Sequence, residues 1–224
     1  MITPHLVYFA DPMCYWCWGF SPVIDAITAR FGQALPIRLV LGGLRPGTTA
    51  PMDARAREEV RSHWQHVHEA SGQPFDYAFF DRPHFVYDTE PASRAVVVLR
   101  RRGMATGLAV LRRIHAAFYA EGRDVTDPDT LAALAAGIGV DSATFGAEFA
   151  AESAAQETRA DFAIAQDAGI RGFPTLLAGT GQDNRYALVT YGFQPAAHIV
   201  PALERWLATP PPSPPHTSRS APGA

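Results

Sequence analysis

Two cysteines three residues apart constrain this chain more than any other feature. Cys14 and Cys17 are the only ones it has, set in Asp11-Pro12-Met13-Cys14-Tyr15-Trp16-Cys17-Trp18-Gly19-Phe20. The apolar run Leu6-Val7-Tyr8-Phe9-Ala10 leads in and predicts a strand; Val23, Ile24, Ile27 and Phe31 then share one face of a predicted helix over 14–31. A disulfide across so short a loop removes little entropy from the unfolded chain, so crosslinking is a poor reason to keep the pair. At the first turn of a helix, Cys14 is expected to point its sulfur at unpaired backbone N–H groups and the positive end of the dipole. Both stabilise a thiolate, the nucleophile of disulfide exchange. Cys17, one turn later, is expected to be buried and placed to resolve a mixed disulfide. A structural zinc site wants four ligands, and no histidine stands at ligand spacing near the two cysteines, so no metal is expected.

A further strand over 37–42 completes a βαβ beginning. Gly43, Pro46, Gly47 and Pro51 then mark a loop, after which residues 53–71, 89–102, 106–120, 127–137, 142–149 and 151–168 read as helices. Pro91 sits at an allowed first-turn position, Gly103 terminates its helix, and Asp127-Pro128 is a cap followed by a proline. Strands return at 174–178 and 187–191, joined by a Gly/Asp/Asn-rich turn, and a last helix spans 195–207. This order predicts an α/β chain: a thioredoxin fold with a large all-helical insertion. Residues 1–48 and 169–208 are expected to make one discontinuous domain, and 49–168 the insertion, its last helix packing back on the sheet. The Pro-rich stretch 209–224 lacks the apolar content to fold and reads as a disordered tail.

With 224 residues, 47% of them hydrophobic, the chain can bury a core without disulfide or metal staples. A formal charge of −3 suggests neither nucleic acid nor an anionic membrane as partner. All nineteen basic residues are arginines, which excludes lysine Schiff-base chemistry. No apolar run approaches a membrane span. The start, Met1-Ile2-Thr3-Pro4-His5, has none of the parts of a signal peptide, so the expected compartment is a reducing cytoplasm, where a C-x-x-C rests as dithiol.

The second informative stretch is Gly169-Ile170-Arg171-Gly172-Phe173-Pro174-Thr175. A proline opening a strand removes a ladder donor and fits only an edge or a bend. Together with residues 11–20, with Gly-Phe-Pro-Thr at 172–175 and with Phe118-Tyr119-Ala120-Glu121-Gly122-Arg123-Asp124, it gives the chain a resemblance that runs to about Leu207. The chain resembles the DsbA family of thiol-disulfide oxidoreductases, and most of all its cytoplasmic FrnE-like branch of predicted protein-disulfide isomerases. The resemblance implies a nucleophilic Cys14, a resolving Cys17 and a cis Pro174. It also implies a substrate groove with Tyr15, Trp16, Phe173, Pro174 and Thr175, Phe173 offering its backbone to substrate. Disulfide-containing polypeptides or small molecules would be substrates and a cellular thiol the reductant; no cofactor would stay bound, glutathione serving as reductant or ligand.

Some features depart from that pattern. Oxidising periplasmic members carry Pro-His where this chain has Tyr15-Trp16. That histidine helps lower the nucleophile of the strongest oxidant to a pKa of about 3.5, so the disulfide here is expected to be less oxidising. Thioredoxins place a buried acid on the strand before the motif, where this chain has Tyr8, and Asp11 stands nearer, in the loop. No second cysteine pair exists to form an internal relay.

Other residues have plainer readings. His63, His66 and His68 suit a solvated helix face, and His115 a satisfied core histidine. Arg100-Arg101-Arg102 ends a helix where positive charge suits the dipole. Trp18 and Phe20 read as core anchors, Tyr15 and Trp16 as exposed caps of the site. Two rival functions remain: a glutathione-dependent isomerase or transferase of the 2-hydroxychromene-2-carboxylate isomerase and kappa type, which typically has serine at the Cys14 position, and a non-catalytic polypeptide-binding holdase.

Overall fold

The computed structural model describes residues 4–82, 84–181 and 185–208, so the tail expected over 209–224 lies outside the described residues. β1 (His5–Ala10) runs parallel to β2 (Ile37–Leu41) and antiparallel to β3 (Thr175–Gly179), which pairs in turn with β4 (Tyr186–Tyr191). The sheet order is therefore β2-β1-β3-β4, with β1 interior. That position explains why β1 is apolar throughout: Leu6, Tyr8 and Ala10 enter the main core, while Val7 and Phe9 pack on the other face with Val40 and Ala165. The register sets Phe9 opposite Thr175, which brings the Phe173-Pro174 segment to the end of the strand that delivers the dithiol.

α1 (Tyr15–Phe31) buries Val23, Ile24 and Ile27 as its periodicity predicts. Pro22 inside it has no N–H to give the Trp18 carbonyl, and Gln73 Nε2 donates there instead at 3.1 Å. α2 (Ala54–Ser71), α3 (Glu90–Arg100), α4 (Met104–His115), α5 (Pro128–Ala136), α6 (Ser142–Ala150) and α7 (Glu152–Asp167) fill the sequence between β2 and β3. Asp53, Asp127 and Asp141 cap three of them, each accepting from a first-turn backbone N–H. α7 covers the β2 side of the sheet, and α8 (Ala196–Ala208) lies beside α1 on the other.

Two features depart from the sequence expectation. The helix expected over 106–120 starts at Met104 and ends in a π turn, Ala116–Ala120, closed by Glu121 N–H to the Ala116 carbonyl at 3.1 Å. The widened turn lets the consecutive Phe118 and Tyr119 both be buried. A short 3-10 turn, Tyr77–Asp81, was not predicted, because what holds it is tertiary. Its Phe79 and Phe80 rings, with Phe75 and Tyr119, stand 4.8–5.1 Å centroid to centroid from the fully buried Trp64.

The arginine run is structural. Arg101 pairs with Glu157 and Arg102 with Glu148. Arg100 makes a two-pronged bridge to Asp161 at 2.6 and 3.1 Å and donates to the Leu39 carbonyl at 2.8 Å. Asp161 in turn accepts the Leu41 N–H at 2.9 Å, so the pair clips α3 and α7 to the β2 strand. Removing one member of a mostly buried pair leaves the other uncompensated, so Asp161→Ala is expected to cost about 3 kcal/mol or more. In urea the unfolding midpoint should fall with an unchanged slope, and a shift worth under about 1 kcal/mol would contradict this.

Candidate active site: a buried dithiol

Cys14 is the residue before α1, in extended conformation (φ −92°, ψ 114°), and Cys17 lies in the first turn. Both are free thiols, 4% and 0% exposed. The expectation that Cys14 would turn its sulfur to the helix N–H groups is corrected: its side chain makes no cap, and its Sγ donates to the Phe173 carbonyl at 3.5 Å. A protonated thiol donates and needs an acceptor, which that carbonyl is and a helix N–H is not. The Phe173–Pro174 peptide is cis. Burial pushes the Cys17 thiol well up, and the hydrogen bond and charge of Cys14 push it further. The Asp11 backbone N–H faces Cys17 and pulls the other way.

Asp11 organises the segment before the cysteines. Its carboxylate, fully buried, accepts the Met13 N–H at 2.9 Å and the Leu44 N–H at 2.8 Å. Its carbonyl accepts the Cys14 N–H at 3.1 Å and His115 Nε2 at 3.0 Å. A carbonyl only accepts, so Nε2 carries the proton and Nδ1 faces Ser21 Oγ at 3.3 Å. Burial pushes the Asp11 carboxyl up to about 6, against those backbone donors and the Thr89 hydroxyl. Burial pushes His115 down to about 4. Tyr8, where thioredoxins have an acid, is buried too; burial and then the charges of Cys17 and Cys14 push its hydroxyl well up.

The aromatic residues of the motif divide partly as expected. Trp18 and Phe20 are buried, the Trp18 Nε1–H satisfied by the Pro74 carbonyl at 3.0 Å. Tyr15 and Trp16 are half-buried rather than exposed, because each has found a ring: Tyr15 stacks on His63 at 5.1 Å, and Trp16 meets Phe193 at 5.8 Å. Phe173 is half-buried, its ring lying where a Cβ on Gly42 would stand only 2.0 Å away, so no larger residue fits at 42 without moving it. Pro174 is buried beside it. Thr175, expected to contact substrate, is fully buried and gives its hydroxyl to the Gly172 carbonyl at 2.8 Å; it shapes the loop instead.

Sequence reasoning missed three residues around the site. Tyr87 donates to the Met13 carbonyl at 2.6 Å and takes a hydrogen bond from Tyr119 at 3.2 Å, bracing the segment from the helical insertion. Tyr191 lies against Gly172 and Phe193 against Trp16 and Phe20. Only the unusual aromatic density of residues 75–87 hinted at any of this. Among the described residues no three His, Cys, Asp or Glu side chains gather as a metal cluster, and His63, His66 and His68 sit on the exposed face of α2. A cavity of about 710 Å³ lies between α1 and α4, lined by Tyr8, Ser21, Ile24, Leu108 and Arg112 among others, but by neither cysteine.

A dithiol at the start of the first helix, facing a cis-proline loop on the same mixed sheet, defines a thioredoxin-type thiol–disulfide protein, here with helices spliced into its middle. The chain belongs to the DSBA-like thioredoxin domain family, whose model matches residues 5–198. It is similar to a candidate protein disulfide isomerase of Nitrosomonas europaea, at 35% identity and TM-score 0.84 over 92% of this chain and 98% of that one. It is also similar to the cytosolic disulfide reductase DsbM of Pseudomonas aeruginosa with GSH, at 30% identity and TM-score 0.74 over 92% of this chain and all of that one. The ClpXP adapter protein SpxH of Halalkalibacterium halodurans is 24% identical over 89% of this chain, which spans 66% of that relative's length.

The two perturbed groups oppose each other in acid. Below about pH 6.5 the unfolded chain protonates His115 while the folded state, at about 4, does not, so this term removes stability as pH falls. Asp11 protonates near 6 when folded but only near 3.9 unfolded, so its term adds stability over the same fall. Between pH 6.5 and 4, Asp11→Asn is therefore expected to lose stability relative to the parent, and His115→Gln to gain it, each by on the order of 1–3 kcal/mol. Urea midpoints across this range check the signs; parallel profiles for all three proteins would contradict them.

Proposed function

We propose that this protein is a thiol-disulfide oxidoreductase acting on disulfides of polypeptides or small molecules in the reducing or isomerising direction. The Cys14 thiolate attacks a substrate disulfide, forming a Cys14–substrate bond and releasing the other half as a thiol. Cys17 then gives up its proton, with the Asp11 carboxylate the nearest base raised into the neutral range, and attacks Cys14. The mixed disulfide breaks, the second substrate thiol leaves, and the protein carries a Cys14–Cys17 disulfide. Two electrons have passed to the substrate, and a cellular thiol of the glutathione class restores the dithiol.

The observation that carries this reading is the pair itself: two free thiols side by side, one against the Phe173 carbonyl at 3.5 Å and the other over a buried carboxyl. Family membership supports it, as does likeness to a cytosolic disulfide reductase, which also favours a cytoplasmic setting where net oxidation would be undone. Among the described residues no helix is long and apolar enough to cross a membrane. Cys17 counts against the glutathione-transferase rival, whose chemistry has no use for a resolving thiol. An adapter or holdase role leaves the adjacent pair of free thiols without a purpose.

Cys14→Ser is expected to abolish exchange with a model disulfide, whereas Cys17→Ser should accumulate a covalent mixed disulfide visible by intact mass. Normal turnover by Cys14→Ser would overturn the mechanism. Client binding unchanged in a variant lacking both cysteines, with no exchange in the parent, would favour the holdase.

A further inference from the structure

Resting on the exchange chemistry proposed above, we infer that Arg45 is a carboxylate-binding residue of the substrate site, which selects small carboxylate-bearing disulfides over neutral ones. Its backbone is fixed to the same framework as the dithiol. The Leu44 N–H is held by Asp11 at 2.8 Å and the Arg45 N–H by Thr89 Oγ1 at 3.1 Å. The Arg45 carbonyl accepts from the Thr89 N–H at 3.4 Å and from the Thr48 hydroxyl at 3.0 Å. Three and two residues earlier in the chain, Gly42 and Gly43 form the wall against which Phe173 and Phe162 lie.

The guanidinium lies over the Tyr87 ring, 5.2 Å from its centroid, and Tyr87 donates to the carbonyl of Met13, the residue before Cys14. Tyr15, the residue after Cys14, also lies within its electrostatic reach: burial and then Cys14 push the Tyr15 hydroxyl up while Arg45 pulls it down. Arg45 thus stands at the rim of the dithiol, bracketing Cys14 from both of its chain neighbours.

Its charge is uncommitted. Nine arginines form ion pairs among the described residues: 30, 55, 94, 100, 101, 102, 112, 113 and 159. Arg45 is not among them, although it is exposed beside acidic residues. Oδ1 of the nearby Asp88 accepts the Gly47 N–H at 2.8 Å and the Glu90 N–H at 3.0 Å, which holds that side chain to the backbone rather than to the guanidinium, and Asp11 is sealed beneath by its own donors. What is left is a positioned, planar fork of N–H donors facing solvent at the mouth of a thiol site, the geometry that receives a carboxylate on two prongs. Trp16 and Phe193, in contact with each other, and Tyr191, against Gly172 of the cis-proline loop, are aromatic and carry no charge. Arg171, exposed two residues before Phe173, adds positive charge on the loop that closes the site.

The test follows the reduced full chain by tryptophan fluorescence as it reacts with glutathione disulfide, which carries carboxylates, and with bis(2-hydroxyethyl) disulfide, which is neutral. Arg45→Gln is expected to lower the second-order rate constant for glutathione disulfide by about tenfold while changing that for the neutral disulfide by less than about twofold. Arg45→Lys, which keeps the charge without the fork, should fall between parent and Arg45→Gln with glutathione disulfide. Equal losses on both substrates would assign Arg45 a structural part over Tyr87 and overturn the inference, as would no loss on either. A parent protein that reacts with neither disulfide would overturn the exchange reading itself, and this inference with it.

Discussion

The buried carboxylate of Asp11 is the constraint around which the rest of the site is arranged. An anion with no exposure is tolerated only where its lone pairs are met, and here Met13 and Leu44 N–H groups meet them. Those two donors come from different parts of the chain, one from the loop before the first helix and one from the loop after the second strand. The residue's carbonyl gathers two more, the N–H of Cys14 and the imidazole of His115 from the inserted helices. One residue thereby ties the dithiol segment, the sheet and the insertion together. Tyr87 reinforces the knot by reaching Met13 from the same side.

That enclosure has electrostatic consequences that serve exchange. Burial drives Cys17 toward the protonated form and lifts Asp11 up to about 6, so both groups hold their protons more tightly than they would in water. In the proposed exchange, a protonated Cys17 would not compete with Cys14 for incoming substrate, and the Asp11 carboxylate would take its proton once the mixed disulfide has formed. His115 is too deeply buried to hold charge at neutral pH, and its part is to fix the Asp11 carbonyl. The Sγ of Cys14 donates to the Phe173 carbonyl, which joins the dithiol to the cis-proline loop.

Much of this was legible in the chain. The C-x-x-C between strand and helix, and the Gly-Phe-Pro-Thr before a later strand, are local signals whose partners follow from the sheet's order, so their meeting could be expected. The helices of the insertion were expected within a few residues of where they lie, although only three of the six carry a side-chain cap. What stayed hidden was tertiary: Trp64 drawing Phe79 and Phe80 into a turn, the π turn that buries Phe118 beside Tyr119, and Tyr87 reaching a carbonyl far from it in sequence. Thr175 misled for a related reason, since a hydroxyl next to a functional proline reads as substrate-facing until its own acceptor, the Gly172 carbonyl, is seen. Tyr15 and Trp16 read as exposed because nothing local reveals that His63 and Phe193 arrive to cover them.

The decisive measurement is the reduction potential of the Cys14–Cys17 couple, read from tryptophan fluorescence after equilibration in glutathione or dithiothreitol buffers. With no histidine between the cysteines and a buried, protonated Cys17, a reversible two-electron couple near that of thioredoxin, about −270 mV, is expected. A potential near the about −120 mV of the strongest oxidant, or no reversible couple at all, would contradict a dithiol built to reduce.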